Sequence, residues 1–286
     1  MISIGIFAKT FSRSTFEENL DAVRSHGLTV VQYNLACAGL PSLPERIEPG
    51  LARQIGAAAA SRRIAIAAVS GTFNMIDPIR VRREAGMRRL GQLAGACHLL
   101  GTKIITLCTG TRDPDDMWRG HRGNRCPDAW ADLREAMEQA LAIAEDHDLW
   151  LAVEPETANV VDSPAKARRL LDELRSPRLK IIIDPANLFQ VEDLAHQRAI
   201  LDAAFDLLGP DIVLAHAKDI RVVNGTVHHV TAGTGVLDYQ HYLTLLRHIP
   251  VPLIVHGLAE AEVERALAFL RRALAVVQRE APTEVR

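Results

Sequence analysis

Four residues able to hold a metal ion or move a proton stand directly after short apolar runs. Glu154 follows the run 150–153, Asp184 the run 180–183, His216 the run 212–215 and His256 the run 253–255. If these runs are neighbouring strands, the four side chains converge on one point. Two carboxylates and two imidazoles suit one divalent ion, with Mn2+, Co2+, Fe2+, Mg2+ and Zn2+ all open. The plainer alternative is that each side chain only caps its strand by hydrogen bonding. A carboxylate at a barrel mouth is costly unless paired or metal-bound, and four such donors in four consecutive runs favour the metal site.

The elements that must position these residues alternate regularly along the chain. Nearly continuous Ile/Val-rich runs at 2–7, 30–35, 64–69 and 103–107 precede the four above, which makes eight. Such runs mark parallel strands buried on both faces. Amphipathic stretches near 14–26, 48–62, 78–100, 128–147, 163–175, 193–208, 238–248 and 260–278 fit helices between and after them. Ser14-Thr15-Phe16-Glu17 fits a capping box, and Asp162-Ser163-Pro164 offers a cap followed by proline in the first turn. Eight strand–helix units in order predict an α/β fold, a (β/α)8 TIM barrel as one domain over residues 1–280, with a fraying tail at 281–286. An open doubly wound sheet is the competing arrangement, but no G-x-G-x-x-G follows the first run. In such a barrel the active site lies at the carboxyl ends of the strands. The longest irregular stretches, 109–127 and 221–237, follow the fourth and seventh strands, and loops of that length in a compact barrel are usually functional.

Composition narrows the function classes. The 286 residues carry 33 Lys and Arg against 35 Asp and Glu, a net charge of −2, so no basic field exists to gather nucleic acid or an anionic membrane surface. The most apolar segment, 55–69, is interrupted by Ser61-Arg62-Arg63 and does not reach the ~20 residues that span a bilayer. Four widely spaced cysteines form no C-x-x-C pair, and the N-terminus lacks a basic region before its apolar stretch. The expectation is a soluble cytoplasmic protein with reduced thiols and a small-molecule substrate.

Further polar residues stand where the strands end. Lys9, Tyr33, Asn34, Asn74, Thr109, Thr111 and Arg112 close the first four, and Glu156, Asn187, Lys218 and Asp219 lie just past the later ones. Asn74, Asn187 and Asp219 are candidate substrate contacts. Glu156 is two residues past Glu154, and Lys218 two past His216, so strand alternation turns each toward the same side as its predecessor. Arg112 and Arg221, in the two long loops, have the geometry to hold a carboxylate or phosphate, with surface arginine as the alternative. Trp118 and His121 are placed to close over a sugar ring or, equally, to anchor the loop. His228-His229 reads as a solvated hairpin, since adjacent strand residues face opposite sides. Thr231-Ala232-Gly233-Thr234-Gly235 has a phosphate-loop look but lacks GK[ST], and reads as a turn. Cys108 has no evident neighbouring base and reads as packing, and His26, His98, His147, His196, His241 and His248 as surface or second-layer residues.

The segments VEPETANVVDSPAKARRLLDEL, IIIDPANLF, HAKDI, AGTGVLDY and PLIVHGL, in that order, resemble the sugar phosphate isomerase/epimerase family, whose fold is the xylose isomerase-like TIM barrel. The resemblance covers almost the whole chain. It implies a metal held by Glu154, Asp184, His216 and position 256, and an isomerase or epimerase that works through a metal-stabilised enediolate with Glu154 as leading base and Glu156 as the second candidate. Lys218 would act as electrophile or proton donor, with a solvated loop lysine as the equal alternative. The chain departs from the family at His256, where the family has a glutamate, and at Asn187, where a histidine is frequent. An imidazole whose lone pair is on a metal accepts no proton, so epimerisation by two metal-bound glutamates does not transfer directly. Dehydration of a keto-polyol on the same metal, and a sugar-binding barrel without catalysis, are the alternatives that the resemblance leaves open. Phosphodiester cleavage by the endonuclease branch would need more ligands and a basic groove. A homo-oligomer is the family's expectation.

Overall fold

Runs of β-branched residues too short for helices build the wall of a closed parallel barrel in the computed structural model, which describes residues 2–279. The strands are β1 (Ile4–Phe7), β2 (Val30–Tyr33), β3 (Ala65–Ser70), β4 (Ile104–Leu107), β5 (Trp150–Val153), β6 (Leu179–Ile183), β7 (Ile212–Ala217), the pair β8 (Asp219–Val223) and β9 (Thr226–Val230), and β10 (Leu253–Val255). Around the wall the order is β1-β10-β7-β6-β5-β4-β3-β2, so β5, β6, β7 and β10 stand side by side as the sequence requires for a shared site. Helices α1 (Phe16–Ser25), α2 (Pro49–Ser61), α3 (Arg80–Leu100), α4 (Pro127–Asp146), α5 (Pro164–Leu174), α6 (Gln197–Leu208), α7 (Tyr239–Leu246) and α8 (Val263–Arg279) form the outer ring. The expected (β/α)8 TIM barrel is the observed fold. Among the described residues no helix is long and apolar enough to cross a membrane.

Two separate cores follow from the pleat. The large one joins the outward faces of the strands to the helices. The small one fills the barrel with Ala68, Ala152, Ile182, Leu214 and Ile254, against which Val30 and Ile104 pack. Side chains on a strand recur on one face every second residue. Two positions beyond those interior residues lie Gln32, Ser70, Thr106, Glu154, Asp184, His216 and His256. The apolar floor therefore determines which polar residues form the layer above it. Close approach at the floor needs Gly5, where a Cβ would sit 2.7 Å from Ile254 Cδ1 and 2.8 Å from the Val30 carbonyl oxygen.

Several boundaries differ from the sequence reading. β7 continues to Ala217, so His216 is inside the strand and not past its end. The helix expected over 193–208 is divided into a 3-10 turn, Val191–His196, and α6. The stretch 221–237 is not irregular throughout, because β8 and β9 pair antiparallel across Asn224-Gly225, both with positive φ as a two-residue hairpin turn requires. The capping box is shifted by one residue. Thr15 accepts from Glu18 N–H at 3.2 Å, and the Glu18 carboxylate accepts from the Ser14 and Thr15 N–H groups. Both Ser14-x-x-Glu17 and Thr15-x-x-Glu18 satisfy the pattern, and only the fold selects between them. Ser163 caps α5 with Pro164 in the first turn, as expected. The tail 281–286 lies outside the described residues.

The cap supplies a stability test. Thr15→Ala should lower the unfolding free energy by about 1 kcal/mol, read as a smaller urea midpoint at unchanged m, and an unchanged midpoint would remove Thr15 from that role.

Candidate active site

A cavity of about 650 Å³ opens at the carboxyl ends of the barrel strands. Its wall includes Phe7, Lys9, Gln32, Ser70, Thr106, Glu154, Glu156, Asn187, His216, Lys218 and His256, with Met117, Trp118 and His229 also bordering it. One ligand atom from each of Glu154, Asp184, His216 and His256 lies within 4.8 Å of the others. Ligand atoms about 2.1 Å from one ion stand at most roughly 4.2 Å apart, so small side-chain adjustments close the set around a single ion. The cluster could hold one metal ion.

The contacts inside the cluster are close. His216 Nδ1 is 3.3 Å from Glu154 Oε1 and 3.8 Å from Asp184 Oδ2, and His256 Nε2 is 3.4 Å from Asp184 Oδ2. The two imidazoles meet edge to face with centroids 4.3 Å apart. His216 Nδ1 is buried and makes no hydrogen bond, although Glu154 Oε1 stands 3.3 Å away. An orphaned buried nitrogen beside two carboxylates is what a metal ligand looks like without its ion, and the donor set of one or two nitrogens and two carboxylates fits a divalent ion.

Lys218 adds an ammonium to the group. Its Nζ donates to Asp184 Oδ2 at 2.9 Å and to Asn187 Oδ1 at 3.3 Å, and stands 3.7 Å from Glu154 Oε1. Asn187 Nδ2 in turn donates to Glu154 Oε1 at 2.6 Å. Burial disfavours the Asp184 anion, yet the Lys218 ammonium and the two imidazoles hold its carboxyl well below the usual range. Glu154 is held down in the same way, against its burial, by His216 and Lys218. Burial, reinforced by the Glu154 charge, pushes the Glu156 carboxyl up to about 8. Burial also lowers His256 to about 4, with His216 and Lys218 adding to it, so its ring is neutral with a lone pair to offer. Two phenols from α7 steady the end of β7 and Lys218 just past it: Tyr242 donates to the His216 carbonyl at 3.0 Å and Tyr239 to the Lys218 carbonyl at 2.6 Å.

The other candidates divide by position. Glu156 and Asn187 line the cavity, and Trp118 borders it while 54% exposed. Asn74 faces the fourth-strand loop, where it brackets Thr111 by donating to its carbonyl at 2.8 Å and accepting from its N–H at 2.9 Å. Arg112 is tied to Asp132 at 2.7 Å and to the Ile76 carbonyl at 3.2 Å, away from the cavity. His121 caps the 3-10 turn Arg122–Arg125 by accepting from Gly123 N–H. Arg221 donates to the Thr234 carbonyl at 2.6 Å and is exposed on the hairpin. Loop 109–127 is ordered around Asp113, which pairs with Arg119 at 2.6 Å and accepts from the Asp115 and Asp116 N–H groups. That scaffold is what carries Met117 and Trp118 to the cavity edge. Cys108 borders the cavity but is only 2% exposed; its Sγ donates to the Phe73 carbonyl at 3.5 Å, and burial together with Glu156 and Glu154 pushes its thiol well up.

Asp219 explains the glycine-rich loop. Its carboxylate accepts from the N–H groups of Ile220, Gly233, Gly235 and Leu237 at 2.8 to 3.1 Å. The amides that gave the loop its phosphate-binding look are filled by the chain's own anion. A Cβ at Gly235 would stand 2.2 Å from Asp219 Oδ1, so only glycine permits this closeness. The hairpin reading of His228-His229 holds, but His229 also reaches the cavity rim, which a strand-alternation argument without the hairpin's placement could not tell. Gln32, Ser70 and Thr106 were missed by attention to strand ends. Their signal was a polar residue inside an otherwise apolar run. Asp219→Ala should cost about 3 kcal/mol or more, because it strips four backbone donors of a charged acceptor. Calorimetry checks this, and a melting temperature equal to the parent's would overturn the structural part assigned to Asp219.

Comparison with known proteins agrees with the geometry. The profile of the family described as xylose isomerase-like TIM barrel matches residues 20–275. No curated protein matches the chain in sequence. Among solved structures the chain is similar to an L-ribulose 3-epimerase (TM-score 0.76, 15% identity, covering 100% of this chain and 99% of that one). It is also similar to the 3-keto-D-glucoside 4-epimerase of E. coli (0.69, 18%, covering 95% and 100%) and to a probable 3-DHS dehydratase from Bacillus anthracis (0.70, 14%, covering 96% and 99%). At these identities the likeness speaks for the fold, while the profile match spans most of the chain. The chain belongs to the xylose isomerase-like TIM barrel family.

Proposed function

We propose that this protein is a divalent-metal-dependent isomerase or epimerase of a small sugar, sugar acid or sugar phosphate. The observation that carries the reading is the cluster of Glu154, Asp184, His216 and His256, with the unpartnered His216 Nδ1 aimed into it at the base of a cavity large enough for a sugar. A bound divalent ion would polarise the substrate's carbonyl and stabilise the charge that develops on oxygen. Glu154 takes the proton from the carbon beside that carbonyl and leaves an enediolate. Glu156 and Lys218, which also line the cavity, return a proton. Ser70 and Thr106 offer hydroxyls to the sugar from the opposite wall, and Trp118 offers an apolar ring to its C–H face. The epimerases among the similar structures support sugar chemistry in this barrel. The net charge of −2 favours a small molecule over nucleic acid.

His256 favours a second reading. With an imidazole at 256 in place of a second glutamate, the ligand set holds one glutamate where inversion by a glutamate on each face needs two. Proton removal by Glu154 followed by loss of a hydroxyl, assisted by Glu156 or Lys218, gives dehydration from the same groups. A product lighter by one water identifies that route, and solvent deuterium at the reacting carbon without mass loss identifies isomerisation or epimerisation.

Two measurements test the shared core. Elemental analysis of protein purified without chelator should find about one divalent ion per chain, lost in Asp184→Ala; a metal-free parent after soaking with Mn2+, Co2+ and Zn2+ would end the metal-dependent reading. Glu154→Gln should reduce turnover on the order of a hundredfold to ten-thousandfold with the fold intact, and near-parent turnover would remove Glu154 as the base.

A further inference from the structure

Gln32 sits in the barrel interior at the one place where β2 shifts register against β3, between Val31 and Gln32. Such irregularities re-aim a side chain. The amide crosses the barrel from the side opposite the charged cluster: its Oε1 is 2.8 Å from His216 Nε2, and its Nε2 is 3.3 Å from both Ser70 Oγ and Thr106 Oγ1. Gln32 is 7% exposed and His216 1%, so neither group exchanges these partners with bulk water.

We infer that Gln32 is a positioning residue that holds His216 as its Nε2–H tautomer and so keeps the Nδ1 lone pair on the side of Glu154 and Asp184. With the amide nitrogen turned to two hydroxyls, the carbonyl oxygen faces the imidazole and needs a donor there, which is Nε2–H. The opposite tautomer would place the proton on Nδ1 and set a bare Nε2 lone pair against Gln32 Oε1 at 2.8 Å. Two acceptors would then face each other at the Gln32 contact, whereas the Nε2–H tautomer satisfies that contact and leaves the Nδ1 lone pair available to an ion. A ring nitrogen held by an acceptor fixes which of the two nitrogens can bind metal and how the ring is oriented. Three neutral residues from β2, β3 and β4 thus act on the charged half of the barrel without touching a ligand atom at Nδ1.

The inference rests on the metal site of the proposed function, and its test separates the two. Nitrogen-15 spectra of metal-free protein at a pH above the imidazole range should show His216 with its proton on Nε2, and a proton on Nδ1 overturns the inference whether or not metal binds. In Gln32→Met, which keeps the length but removes the acceptor, that preference should be lost and Co2+ affinity, followed by visible absorption, should fall 10- to 100-fold. Gln32→Glu, which restores an acceptor at the same place, should return both the tautomer and the affinity. Parent-like tautomer and affinity in Gln32→Met overturn the inference. If Gln32→Met does not fold, the parent spectrum and Gln32→Glu still decide it. A parent that takes up no Co2+ ends the metal-dependent reading, and the nitrogen spectrum then judges Gln32 alone.

Discussion

Glu154 and Asp184 are two carboxylates on adjacent strands, 8% and 1% exposed, and both are held ionised. Removing one such charge from water costs several kcal/mol even after relaxation, and a second of the same sign nearby adds repulsion. The barrel tolerates the pair because a cation and donors surround it: the Lys218 ammonium at 2.9 Å from Asp184, the Asn187 amide at 2.6 Å from Glu154, and His256 Nε2 at 3.4 Å from Asp184. Neighbouring groups then take their states from it. Glu156, next to an existing negative charge in a buried setting, is pushed toward its neutral acid, and His256 toward its neutral ring. A divalent ion added to this cluster joins a field already built for positive charge.

The fold turns that cluster into a surface with two sides. Above the apolar floor of the barrel, β5, β6, β7 and β10 contribute charged or metal-binding side chains, while β2, β3 and β4 contribute an amide and two hydroxyls. The neutral side forms its own hydrogen-bonded chain from Thr106 and Ser70 through Gln32 to His216. Buried polar networks of this kind rigidify a site when every member is paired, and the one unpaired atom here is His216 Nδ1, on the charged side.

Two carboxylates outside the cavity, Asp219 and Asp113, act on order instead of chemistry. Asp219 gathers four backbone N–H groups and pins the turn after the hairpin, and Asp113 does the same for the loop that carries Trp118. Both loops follow strands whose ends form the cavity. Rigid edges around the mouth mean that Trp118 and His229 are presented from fixed frames.

The alternation of apolar runs and amphipathic stretches was enough to place eight strands and eight helices, because a parallel barrel needs each strand buried on both faces and each helix on one. The same logic picked out Glu154, Asp184, His216 and His256, since a polar residue that ends a buried run must emerge at the active end. Boundaries were less legible: the capping box admits two registers, and nothing local required β7 to continue through His216. Partners across space were illegible. Arg112 and Arg221 carry the right chemistry for an anion, yet Asp132 and the Thr234 carbonyl, distant in sequence, claim them. Asp219 has no sign in its own neighbours that four amides will converge on it. Gln32 meets a histidine 184 residues away. Residue type and strand period decide which side chains enter the barrel, because they act within a few residues. Closure of the sheet decides which of them meet, because only it sets the distances between strands.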